Sequence, residues 1–102
     1  MVYEWDEAKR EANLRKHGLD FADAWIVCED PERLTLISER RGKRRNVDLA
    51  LVEVLDQLLC VVCIERGDKI RIISFRRASR QERRLYAAAK GKKSNGLGSR
   101  QA

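Results

Sequence analysis

No apolar run in these 102 residues approaches the roughly 20 needed to span a bilayer, and the opening Met-Val-Tyr-Glu-Trp-Asp lacks a basic stretch followed by an apolar one. Both absences point to a soluble intracellular chain, cytoplasmic in location. Cysteine is scarce as well. Cys28, Cys60 and Cys63 are an odd number in a chain with no export signal, so reduced thiols are expected rather than a disulfide framework. The Cys60-x-x-Cys63 spacing sits in the strand-like run 58–64, where positions three apart face opposite sides at roughly 10 Å, too far to bridge or chelate. Small buried hydrophobes is their expected role. Also missing are a phosphate-binding glycine loop, the clustered acids of a two-metal nuclease and a Ser/His/Asp order suggesting acyl transfer. No cofactor and no metal are expected, and there are no internal repeats.

What is abundant is positive charge. Lys and Arg number 22 against 16 Asp and Glu, a net charge of +6, and the pI is near 9.6, which suits a polyanionic partner, whether nucleic acid or an acidic protein. The length allows one small domain.

Residues 7–16 read as a short polar helix capped by Asp6 and ended by Gly18. A second helix follows, capped by Asp20, with Phe21, Ala24, Trp25 and Cys28 at the spacing of one buried stripe; Asp30-Pro31 stops it. Four strand-like runs come next, at 34–38, 45–54, 58–65 and 69–76. Their links are too short for parallel crossovers, and Arg66-Gly67-Asp68 is a tight hairpin signal. Ser79-Arg80-Gln81-Glu82 is a capping box that opens a helix to about Lys90. From Gly91 the chain is polar, glycine-rich and aperiodic. These readings predict an α+β domain over 1–90 with two N-terminal helices, a four-stranded antiparallel sheet and a C-terminal helix, followed by a disordered basic tail over 91–102.

The segment from Trp5 to Gly18 crowds an aromatic, Lys9, Asn13, Lys16 and the single histidine, His17, into one helix. Lys16 and His17 have a structural reason to be there, because cations at a helix C-terminus oppose its negative pole. They are also the groups that bind and cut RNA, and both readings stand. Two further basic clusters lie at the hairpin tip Arg40-Arg41-Gly42-Lys43-Arg44-Arg45 and in the strand Arg71-Ile72-Ile73-Ser74-Phe75-Arg76-Arg77. By simple alternation Arg71 shares a face with Ile73 and Phe75, and Arg76 lies on the other with Ile70, Ile72 and Ser74. RNA carries its own nucleophile in the 2′-hydroxyl. A protein can therefore cleave it by orienting that group, withdrawing its proton and stabilising the phosphorane with cations. His17, Lys9, Arg71 and Arg76 are the candidate catalytic groups, and Trp5, Lys16, Arg44 and Arg45 the candidate RNA-binding ones.

The pattern W-D-x2-K-x3-N-x2-K-H-G, followed by R-I-I-S-x-R-x-A-x3-E-x3-Y, resembles the BrnT family of ribonuclease toxins from type II toxin–antitoxin systems. The residues that carry the resemblance are Trp5, Asp6, Lys9, Asn13, Lys16, His17 and Gly18, then Phe21 and Ala24, and later Arg71 through Ser74, Arg76, Ala78, Glu82 and Tyr86. The likeness runs from about Tyr3 to Tyr86. It implies a RelE-like fold, metal-independent RNA cleavage that arrests translation, and neutralisation by a BrnA-like antitoxin with a ribbon-helix-helix domain. It also implies a possible homodimer within that complex and a link to DNA only through the antitoxin. Where the family commonly has Gly-Glu-x-Arg, this chain has Gly42-Lys43-Arg44-Arg45, and Leu51-Val52-Glu53-Val54 replaces a usual glycine. The alternative is a catalytically weakened module that binds antitoxin or RNA without cleaving. A third is a plain basic RNA-binding domain that uses Trp5 and the hairpin tip.

Overall fold

A computed structural model of the chain describes the backbone over residues 1–98 and the side chains over residues 1–91. Strand β1 (Val2–Glu4) leads into helix α1 (Glu7–His17), a 3-10 turn at Phe21–Asp23 and the short helix α2 (Trp25–Cys28). Strands β2 (Leu34–Arg40), β3 (Lys43–Val52), β4 (Gln57–Arg66) and β5 (Lys69–Arg77) follow, and helix α3 (Arg80–Gly98) completes the order. The sheet has five strands ordered β1-β5-β4-β3-β2, with β1 parallel to β5 and every other neighbour antiparallel. The α+β class stands, but the four-stranded antiparallel sheet is corrected to a five-stranded mixed one. Three residues are too few to show alternation, and β1 forms only because Tyr3 docks beside Ile70 of β5. Among the described residues no helix is long and apolar enough to cross a membrane.

Local chemistry sets the helix ends. The Asp6 carboxylate accepts the Ala8 and Lys9 amides, and Gly18, at φ 71°, takes the left-handed conformation that closes α1. Arg10 then ties the two N-terminal helices together, with Nε and Nη2 donating to the two oxygens of Asp20 at 2.8 and 3.0 Å. The second helix departs from expectation. Its first turn winds as a 3-10 helix, with three residues per turn, which moves the buried stripe to Phe21, Ala24, Val27 and Cys28 and leaves Trp25 50% exposed. Trp25 is therefore not the core residue that regular helical spacing implied.

At the other end, the Ser79 hydroxyl accepts the Glu82 amide at 3.2 Å and Glu82 Oε1 accepts the Ser79 amide at 2.8 Å, the reciprocal pair expected of a capping box. Helix α3 does not end near Lys90. It continues to Gly98, since each residue added to an existing helix closes another backbone bond, even through Gly91 and Gly96, which are poor helix formers. Of the tail expected to be disordered, residues 99–102 lie outside the described residues.

The sheet buries both faces. On one, Phe21, Ala24 and Val27 pack against Val61, Ile72 and Phe75; on the other, Leu49, Cys60 and Ala78 pack with Leu34, Leu58 and Tyr86 of α3. Cys60 and Cys63 fall in different cores, as the strand argument requires. A β-bulge then changes the reading of β5. Val62 pairs with Ser74 but Cys63 pairs with Ile72, so Ile73 is an extra residue and the alternation reverses across it. Ile70, Ile72 and Phe75 all face α1 and α2, while Arg71 and Arg76 share the opposite face. Simple alternation had placed those two arginines on opposite sides, and the bulge corrects it.

Candidate functional site

Helix α1 has almost no apolar surface, and its buried residue is Asn13. Strand β1 covers only the first part of β5, leaving the backbone at Phe75 open on that side. Asn13 fills the gap. Its Nδ2 donates to the Phe75 carbonyl at 2.7 Å and to the Leu19 carbonyl at 3.0 Å, and its Oδ1 accepts the Phe75 amide at 3.2 Å. The side-chain amide thus stands in for the missing strand, and α1 is held along the β5 edge. One turn later His17 comes beside the end of β5. Burial lowers its pKa, and the charges of Lys16, Arg76 and Arg77 lower it further, so the imidazole is neutral at pH 7 and able to accept a proton.

Arg76 is fixed in turn. Its Nη1 and Nη2 donate to Glu82 Oε1 and Oε2 at 2.8 and 3.0 Å, the bidentate arrangement suited to guanidinium and carboxylate. Glu82 is held down to about 2 by that arginine first, and the Ser79 bonds add to it. Arg76 lies under the α3 N-terminus; Nη1 also donates to the Arg77 carbonyl at 3.3 Å, which leaves Nε and one Nη2 hydrogen for another anion. Cys60 donates to Glu82 Oε2 at 3.8 Å, and burial pushes its thiol up to about 12, so it is not a nucleophile at neutral pH.

Beyond Arg76, α3 leaves its face of the sheet uncovered. Arg71 pairs with Ile64 on β4 and with Glu4 on β1, and Nη1 approaches Glu4 Oε2 at 3.9 Å. Arg45 lies one residue past the last β3–β4 pair, level with Ile64, and so about 10 Å from Arg71 across two strand spacings. The next row toward the hairpin tips holds Arg40 opposite Lys43 and Arg66 opposite Lys69. Six cations thus share one open sheet face, with Glu4 as the acid in the Arg71 row. At the Arg40–Lys43 tip, Arg41 and Gly42 both have positive φ, 54° and 74°, the geometry of a type I′ turn that follows the sheet's twist.

The candidate residues divide accordingly. Lys16, His17 and Arg76 come together, and Arg71 and Arg45 continue from them along the open face. Lys9 lies two turns before His17, about 12 Å along the helix axis. Arg44 faces the other side of the sheet, opposite Glu39. Trp5 is half-buried. Its ring meets Phe21 edge-on at 6.4 Å and its Nε1 donates to Glu7 at 3.2 Å. Sequence reasoning placed Arg40 and Arg77 in basic clusters without making them candidates, and it passed over Arg66 and Lys69 as cations, though hairpin register and strand alternation carried the signal for both.

A family model described as ribonuclease toxin, BrnT, of type II toxin–antitoxin system matches residues 5–82. No curated protein matches the chain.

Proposed function

The chain belongs to the BrnT family of type II ribonuclease toxins, and on that premise we propose that it is an endoribonuclease that cleaves RNA without a metal and so arrests translation. One observation supports this reading above the others. The Asn13–Phe75 pairing joins the two motif segments and sets a neutral, cation-flanked His17 at the edge of a basic sheet face.

In this mechanism the RNA backbone follows the open face, its phosphates held by Arg45 and Arg71, with Lys16 and Arg76 gripping the scissile phosphate. His17 accepts the 2′-hydroxyl proton. The 2′-oxygen bonds to phosphorus, the P–O5′ bond breaks, and the departing 5′-oxygen takes up a proton, leaving a 2′,3′-cyclic phosphate and a 5′-hydroxyl. The cations offset charge that develops on the phosphorane oxygens. Lys9, at its distance along α1, serves a neighbouring phosphate. Trp5 supports the site through Phe21 rather than by stacking on a base, and Arg44 meets RNA only where the strand wraps the hairpin.

The same basic face suits an acidic segment of a BrnA-like ribbon-helix-helix antitoxin, which would neutralise the toxin by covering it. Two toxins bridged by antitoxin, with DNA contacted only by the antitoxin, complete the proposed assembly, and the setting is the cytoplasm. The non-cleaving alternative rests on Lys43. That residue lies two strands from β5 and at the far end of the sheet, more than about 20 Å from His17 by strand spacing and rise, so its charge does not enter proton transfer there.

Purified protein incubated with single-stranded RNA in excess EDTA tests the proposal. Fragments ending in 2′,3′-cyclic phosphate are expected, with the rate lowered by about 10²–10⁴-fold in His17→Ala. RNA left intact by wild type that circular dichroism shows to be folded in EDTA would overturn it.

A further inference from the structure

Cys28 of α2, Asp48 of β3 and Cys63 of β4 converge in the core between α2 and the sheet, all three buried, with their ligand atoms within 4.8 Å of one another. We propose that they form a binding site for a thiophilic divalent cation of the zinc class, which staples α2 to the sheet.

Two sulfurs and a carboxylate oxygen are the donors such an ion prefers, and three protein ligands leave a fourth tetrahedral position for water or another carboxylate. That position opens toward a cavity of about 340 Å³, lined in part by Glu29, Asn46 and Glu65. The carboxylate is already oriented, because the Thr35 hydroxyl donates to Asp48 Oδ1 at 2.7 Å. Such an outer hydrogen bond commonly fixes a ligating group. The charges also balance. When the ion binds, the Cys28 and Cys63 thiols each release a proton to solvent. Two thiolates and a carboxylate then carry −3, the ion supplies +2, and Arg33, whose Nε is 3.8 Å from Asp48 Oδ2, supplies the rest. Without the ion, an Asp48 that is only 6% exposed has, among the described residues, Arg33 as its one ion-pair partner, at that loose distance. Cys60 serves as the internal control, since it is equally buried but lies in the opposite core. The pair that matters is Cys28 with Cys63, from distant parts of the chain, and not the Cys60-x-x-Cys63 repeat.

The test uses the full-length reduced protein, stripped with chelator and titrated with Co²⁺ and then Zn²⁺. Expected are one Co²⁺ per chain with intense near-ultraviolet thiolate-to-cobalt absorption, its displacement by Zn²⁺, and a higher melting temperature with either ion. Cys60→Ser should behave as wild type and Cys63→Ser should lose the absorption. Thr35→Val keeps all three ligands and should weaken binding about 10–100-fold, so the proposal stays testable if Cys63→Ser does not fold. Absence of thiolate absorption in folded wild type, equal absorption in folded Cys63→Ser, or unchanged affinity in Thr35→Val would each overturn the proposal.

Discussion

The side-chain amide of Asn13 takes both backbone groups of Phe75, donating to its carbonyl at 2.7 Å and accepting its amide at 3.2 Å. A residue 62 positions earlier thus completes the edge of β5. Asn13→Ala leaves these buried groups without a partner, at about 1–3 kcal/mol, and a drop of roughly 4–8 °C in Tm per kcal/mol is expected. Asn13→Asp should be no better, because its carboxylate cannot donate to the Phe75 carbonyl. Urea denaturation of both variants checks this, and a midpoint unchanged in either would contradict it.

Arg76 and Glu82 make a second anchor with a pH signature. Glu82 is held at about 2 in the folded chain against an ordinary 4.5. A depressed carboxylate contributes stability that is present above the unfolded value and lost as pH falls through the folded one. The pair should therefore stabilise the fold above pH 4.5, with the contribution fading toward pH 2. Its size is about 2 kcal/mol once solvent access to Arg76 is allowed for. Glu82→Gln should lose that amount at pH 7 and little at pH 2, as read from denaturation midpoints across the range.

For His17 the folded pKa lies below its ordinary 6.5, with burial the first cause and the surrounding cations the second. The unfolded chain then binds the proton more readily than the folded one, so stability is full above about pH 6.5 and declines as pH falls below it. His17→Gln should flatten that part of the stability profile. The same shift predicts that RNA cleavage keeps its rate from pH 8 down to about 6.5 and falls only at lower pH. A rate that rose on acidification would argue against His17 as the proton acceptor.

The open sheet face makes a prediction about salt. Each phosphate contact removed should lower the slope of log binding constant against log salt by about 0.7 for single-stranded RNA. Arg45→Ala and Arg71→Ala should each lower it by that amount, as measured by fluorescence anisotropy across a salt series, and Arg44→Ala, on the other face, should not. Lys43→Glu should weaken RNA binding while leaving the cleavage rate at saturating RNA unchanged. A large gain in rate would instead place position 43 in the chemistry.

Much of this was legible in the residues. Asp6, Gly18, Asp20 and the Ser79–Glu82 box act locally, within a turn of the bonds they make, and each forms as its spacing implied. What escaped depends on partners far along the chain. Strand β1 exists only because β5 accepts it, and the Ile73 bulge is set by its register with β4, yet it decides that Arg71 and Arg76 share a face. Trp25 moved outward because a 3-10 turn precedes it, a change of winding that apolar periodicity does not reveal. Asn13 was noticed as part of a chemical motif, and its structural work at Phe75 has no signature within α1. The cysteines show the same limit, since Cys60-x-x-Cys63 drew attention while Cys28, 35 residues before Cys63, is the thiol that meets it.

The central claim is that a neutral His17 beside Arg76 makes this chain an RNA-cleaving toxin. Induced expression of wild type, His17→Ala and Arg76→Ala at matched soluble levels, scoring growth and the integrity of cellular RNA, tests it most directly. The account predicts arrest with fragmented RNA for the wild type and continued growth with intact RNA for both variants. Unimpaired growth of cells expressing the wild type, or arrest by both variants, would contradict it.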